Sequence, residues 1–187
     1  MGTMRTPDRT WGRSVVVSGP AASGKTVLAQ AISAELEWPL ISKDEIKEAL
    51  AGVLPPKTTD DVASLGRAAM AVLLRIAAKT TSGAVLDAVW REGLGRLELG
   101  ALPGEIVELF CRCPPAVVRE RYGARTRPPE YIPEHATAES LWSTETFAPV
   151  SGGWHVIEVD ATSHPDVEAL TDRVSDAFRH QSRRGPA

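Results

Sequence analysis

One stretch restricts the fold more than any other: residues 15–32, VVVSGPAASGKTVLAQAI. A β-branched run gives way to a glycine-rich turn and then to a helical pattern, and Gly19, Gly24, Lys25 and Thr26 satisfy the spacing G-x-x-x-x-G-K-[ST]. A strand, a glycine turn and a helix in that order bring backbone N–H groups and the positive end of a helix to one point. Such a backbone is built to cradle a polyphosphate.

The rest of the chain repeats the alternation. Short apolar runs of strand type lie at 14–18, 39–42, 84–89, 105–111 and 155–160. Helical patterns are expected over 25–37, 43–52, 60–81, 91–101, 115–125 and 165–180, with Ser163 as the N-cap of the last. Strands alternating with helices imply βαβ crossovers, hence a doubly wound α/β fold of three layers, α/β/α, around a five-stranded parallel sheet, and the G-x-x-x-x-G-K-[ST] loop makes the P-loop NTPase type the expected one. With 187 residues, one domain is expected. It should span 13–180, after a loose leader at 1–12 and before a tail at 181–187. The segment 124–153 carries Pro128, Pro129, Pro133 and Pro149 without a clear period, and its place before the last strand suggests a lid.

Composition narrows the function. A formal net charge of -3 offers no general attraction to nucleic acid or an anionic membrane. No apolar run is long enough to span a membrane, and the N-terminus lacks a secretory pattern, so a reduced, cytoplasmic protein is expected. Cys111 and Cys113 are expected to lie on opposite faces of a strand, unpaired, and the histidines at 135, 155, 164 and 180 show no metal-ligand spacing. Nothing fixes the oligomeric state.

The loop residues Gly19, Pro20, Ala21, Ala22, Ser23, Gly24, Lys25, Thr26 and Val27 are the expected nucleotide contacts. Lys25 would reach the β- and γ-phosphates, and the Thr26 hydroxyl would ligate Mg²⁺. ATP or GTP with Mg²⁺ is therefore the implied ligand. Guanine-reading GTPases use an N-K-x-D motif, and the chain contains no asparagine, which disfavours that branch. Among the small phosphotransferases that remain, ISKDEIKEAL is informative. Asp44, 19 residues after Lys25, should emerge at the carboxyl edge of the sheet beside the phosphates, where it could accept a hydroxyl proton. Equally, Asp44 and Glu45 could simply begin a helix, where acids suit the dipole.

SGPAASGKT, ISKDEIK, AVLDAVW, CPPAVVRERYGAR and VIEVDAT, in that order over about 14–175, resemble the P-loop small-molecule and polynucleotide 5′-hydroxyl kinases. These are AAA-type ATP-binding kinases, with chloramphenicol phosphotransferase and gluconate kinase as more distant relatives. The resemblance implies ATP as donor, Mg²⁺ as cofactor and Asp44 as general base. By the same resemblance Lys47 faces the substrate, and Asp87 holds Mg²⁺ through water or holds the substrate hydroxyl. Arg121 would pack on the adenine, and Arg125 would neutralise the transferring phosphoryl group from the lid. Trp90 and Trp142 are candidate walls of an acceptor pocket, with core packing the plainer reading of each. A small molecule is the expected acceptor, and nucleic acid is less favoured. The competing reading is a nucleotide-binding regulatory or partner-docking module.

Overall fold

The computed structural model describes residues 12–124 and 142–182. Its elements follow the chain as β1 (Arg13–Ser18), α1 (Lys25–Leu36), β2 (Leu40–Ser42), α2 (Lys43–Val53), α3 (Thr59–Ala77), β3 (Ala84–Asp87), α4 (Glu92–Gly100), β4 (Glu105–Arg112), α5 (Pro115–Gly123), β5 (His155–Asp160) and α6 (Val167–Ser182). The strands form one sheet in the order β2-β3-β1-β4-β5, every neighbouring pair parallel. All five expected strands and the α/β class are present. With β1 central and all strands parallel, every strand ends at the same edge, and the loop after β1 opens there.

Period-two alternation divides the sheet into two apolar faces. Val15, Val17, Val85, Val107, Leu109 and Ile157 meet α1 through Leu28, Ala29 and Ile32, and α6 through Leu170, Val174 and Phe178. Val16, Leu86 and Ile106 on the other face meet Leu73 and Ala77 of α3 and Leu99 of α4. The alanine-rich helix α3 packs because Leu65, Ala69, Leu73 and Ala77 recur every fourth residue, giving one narrow buried stripe. Each large side chain so buried contributes about 1.5–3 kcal/mol, and that sum holds the helices to the sheet.

Three local expectations need correction. Helix α6 begins at Val167 and is capped by Asp166, whose carboxylate accepts the Ala169 N–H at 3.1 Å. Ser163 lies too far upstream, since a cap must immediately precede the first helical residue. Strand alternation puts residues two apart on the same face, so a strand would not give Cys111 and Cys113 opposite faces, and β4 ends at Arg112, before Cys113. Both are buried free thiols nonetheless. Helix α3 ends at Ala77 rather than 81. Residues 1–11, 125–141 and 183–187, with most of the expected leader, lid and tail, lie outside the described residues, and no described helix is long and apolar enough to cross a membrane.

Candidate active site

The phosphate loop joins β1 to α1, and its two glycines are required for different reasons. Gly19 has φ 130°, and a Cβ there would stand 2.7 Å from the Cys111 carbonyl oxygen and 3.1 Å from the Cys111 Cβ. Close approach of two backbones excludes any side chain. Gly24, the residue before α1, has φ 98° with open space around it, so its demand is conformational alone. Between them Ala22 is held at φ 65° without that freedom, which costs about 1–2 kcal/mol. The Ser23 N–H donates to the Pro20 carbonyl at 3.2 Å and closes the turn. Lys25, only 7% exposed, folds back so that Nζ donates to the same carbonyl at 2.7 Å.

At the start of α1 the Thr26 hydroxyl donates to Asp87 Oδ2 at 2.8 Å. Asp87 closes β3, in register with Val17 of β1 and Ser42 of β2, so its carboxylate stands at the sheet edge beside the loop. Burial pushes the Asp87 carboxyl above its ordinary value, against the Thr26 hydrogen bond and the Lys25 charge, with Asp44 and Glu45 adding to the rise. A hydroxyl and a carboxylate paired beside a buried lysine are hard oxygen donors of the type that Mg²⁺ takes.

Asp44 and Glu45 occupy the first turn of α2, whose N-cap is the Ser42 hydroxyl, accepting the Glu45 N–H at 3.5 Å. Asp44 thus does what the plainer reading asks, and it also stands exposed where its charge reaches Asp87. Lys47 follows one turn later, half-buried.

On the other side of the loop, Arg121 of α5 donates to the carbonyls of Ala161 at 2.8 Å and Thr162 at 3.2 Å. It therefore ties α5 to the loop after β5. Arg125 lies outside the described residues. Trp90 does not wall a pocket: it is 1% exposed in the core with Leu99 and Val150, and its indole N–H has no partner. Trp142 turns to the donor side, its Nε1 donating to the Ala21 carbonyl at 3.3 Å.

Sequence reasoning missed Glu108. It is fully buried in β4 and accepts four hydrogen bonds: from Ser18 Oγ at 2.6 Å and Val150 N–H at 2.8 Å on one oxygen, and from Ser151 N–H at 3.1 Å and Trp154 Nε1 at 2.9 Å on the other. The carboxylate thereby fastens the chain entering β5 to the residue that precedes Gly19. A signal existed, because Ile106, Glu108 and Phe110 share one face of a central strand. An acid flanked there by apolar residues must be buried and paired.

Comparisons with known proteins agree with this architecture. No curated protein matches the chain. Among solved structures it is similar to a "putative kinase" of Chloroflexus aurantiacus, at 24% identity and a TM-score of 0.75 over 92% of this chain and 98% of that one. A gluconokinase of Sinorhizobium meliloti aligns at 20% identity and a TM-score of 0.56, covering 94% and 96% of the two chains. The adenylylsulfate (APS) kinase of Mycobacterium tuberculosis, solved with AMPPNP and APS, aligns at 15% identity and a TM-score of 0.58, covering 90% and 98%. At these identities the likeness is one of fold, and the fold is that of the P-loop kinases. A family model described as the AAA domain matches residues 15–146, more than half of the chain, and the protein belongs to that family.

Proposed function

We propose that the protein is an ATP-dependent phosphotransferase that moves the γ-phosphoryl group to a hydroxyl of a small molecule. The observation that carries this reading is the convergence of Lys25, Thr26 and Asp87 at the mouth of the phosphate loop, with the Thr26–Asp87 hydrogen bond at 2.8 Å. Structural neighbours that are small-molecule kinases, and one solved with AMPPNP, support it.

In this reading the loop 19–26 holds the polyphosphate through backbone N–H groups, and Lys25 swings from the Pro20 carbonyl to the β- and γ-phosphates. Thr26 and Asp87 would hold Mg²⁺, which when bound neutralises charge on the phosphates. Asp44, at the same edge, takes the proton of the acceptor hydroxyl, and Lys47 faces the acceptor from one turn further along α2. The edge N–H groups of Arg121 are spent on two carbonyls, which fixes the plane of its guanidinium for stacking on adenine. The part given to Arg125 rests on the family resemblance. Free, buried thiols suit a reducing compartment, and we place the protein in the cytoplasm.

A screen with γ-labelled ATP and pooled metabolites, antibiotics and 5′-hydroxyl oligonucleotides tests the proposal. Label should appear on a small hydroxylated compound. Label on oligonucleotides alone would move the acceptor class, and ATP binding without labelling of any acceptor would leave the regulatory module in its place.

A further inference from the structure

We propose that Trp142 is a positioning residue for the phosphate loop: by holding the Ala21 carbonyl, its indole turns the Ala22 N–H toward the bound polyphosphate. This rests on the reading of residues 19–26 as the phosphate cradle. The argument starts from the peptide bond. In a planar trans peptide the carbonyl of one residue and the N–H of the next point in opposite directions, so pinning one aims the other. The Trp142 Nε1 donates to the Ala21 carbonyl at 3.3 Å, across a separation of 121 residues. The Ala22 N–H of that same peptide unit therefore faces away from the indole.

This peptide needs an external tie. Ala22 sits at φ 65°, a conformation that an alanine leaves readily by rotating the preceding peptide plane. The indole itself is oriented by α5: the Tyr122 ring meets it edge-on with centroids 5.1 Å apart and planes at 75°, and the Arg119 guanidinium lies 5.9 Å from its ring centroid. Trp142 also opens the segment that ends at Val150, Ser151 and Trp154, where Glu108 binds it together with Ser18. Residues 142–154 thus grip the phosphate loop at both its tip and its root, and the tip contact decides where one donor points.

Titration calorimetry with inorganic tripolyphosphate and with ATP, on the wild type and Trp142→Phe, tests the assignment. Phenylalanine keeps an aromatic ring between Tyr122 and Arg119 while removing the N–H donor and part of the indole's bulk. Both ligands should weaken by the same factor, roughly three- to tenfold, the worth of one hydrogen bond. Hydrogen exchange across residues 21–24 should quicken in the variant while the amides of β1 and β4 stay protected. Unchanged affinity for tripolyphosphate overturns the proposal. So does a loss confined to ATP, which would put the indole against the nucleoside instead. If the wild type binds neither ligand, the phosphate-cradle reading itself fails and the inference falls with it, an outcome distinct from a wild type that binds and a variant that matches it.

Discussion

Replacing Glu108 should separate the value of its charge from the value of its shape. The carboxylate is fully buried, and each of its oxygens accepts two hydrogen bonds. Glu108→Ala strands the N–H groups of Val150 and Ser151 and the Trp154 indole N–H, while the Ser18 hydroxyl can rotate elsewhere. A buried orphaned donor such as the Val150 N–H costs about 1–3 kcal/mol, and water reaches exposed Ser151 and half-buried Trp154 and lowers their share, so a loss of about 4 kcal/mol is expected. That is a large share of the ~5–15 kcal/mol that holds a domain of this kind together. Glu108→Gln keeps one oxygen, which will satisfy Ser151 and Trp154. Its NH₂ then faces Ser18, whose hydroxyl can turn to accept, and Val150, whose N–H cannot. One donor–donor conflict remains, offset in part by removal of a buried charge, and a loss of about 2 kcal/mol follows. Guanidinium denaturation followed by far-UV dichroism reads both values. If glutamine costs as much as alanine, or if alanine costs less than about 1.5 kcal/mol, the four-bond account of Glu108 is wrong.

Asp44→Asn should leave ATP affinity within about twofold and lower phosphoryl transfer by roughly 10²–10⁴, as loss of a general base does; unchanged turnover on the identified acceptor removes Asp44 from the mechanism. Gly19→Ala should abolish ATP binding in calorimetry, because the new Cβ would meet the Cys111 carbonyl 2.7 Å away; retained affinity would refute the close-approach argument. Burial raises the Asp87 carboxyl above its unfolded value, so its contribution to stability is full below the unfolded pKa and is lost as pH rises through the native one. In the absence of divalent ions, Asp87→Asn should therefore melt above the wild type near pH 7 and approach it near pH 3, and a lower midpoint at about pH 7 would contradict this. The Cys111 thiol, pushed up to about 11 by burial, should resist a thiol-reactive dye in the native protein and react once guanidinium unfolds it.

The fold was legible because its signals are periodic and local. Five apolar runs, each separated by helical spacing, admit few arrangements other than a parallel sheet, and all five strands stand within a residue or two of their expected limits. The phosphate loop was legible for a related reason: Gly19 and Gly24 each answer a backbone demand that glycine alone meets. Asp87 was readable as a strand-end acid, but its hydrogen bond to Thr26 depends on the register of β1 against β3, which no spacing reveals. The misplaced helix start has a local cause: Ser163 is a good cap residue in the wrong place. Trp90 follows the plainer of its two readings, since the bulk of a tryptophan fills cores as readily as it lines pockets.

What sequence hid is of a different kind, and it clusters in the segment 142–154. Its contacts with the phosphate loop and with β4 run largely through backbone groups: the Ala21 carbonyl accepts from Trp142, and the Val150 and Ser151 N–H groups reach Glu108. Any residue type supplies a carbonyl, so the partner of Trp142 left no mark at position 21. Only the side-chain ends of these contacts carry information, and they stand far from the loop in sequence. A fully buried glutamate in the middle of an apolar strand, and a tryptophan at 142 in a segment with little period, are visible halves of interactions whose other halves are peptide groups, while Trp154 meets the Glu108 carboxylate side chain to side chain across 46 residues. An unpaired carboxylate in a central strand would cost too much to persist, so Glu108 alone already demanded several donors and hence a chain segment lying over that face of β4. The sequence thus required such a strap, and only the fold could say that it would close on the loop that holds the phosphates.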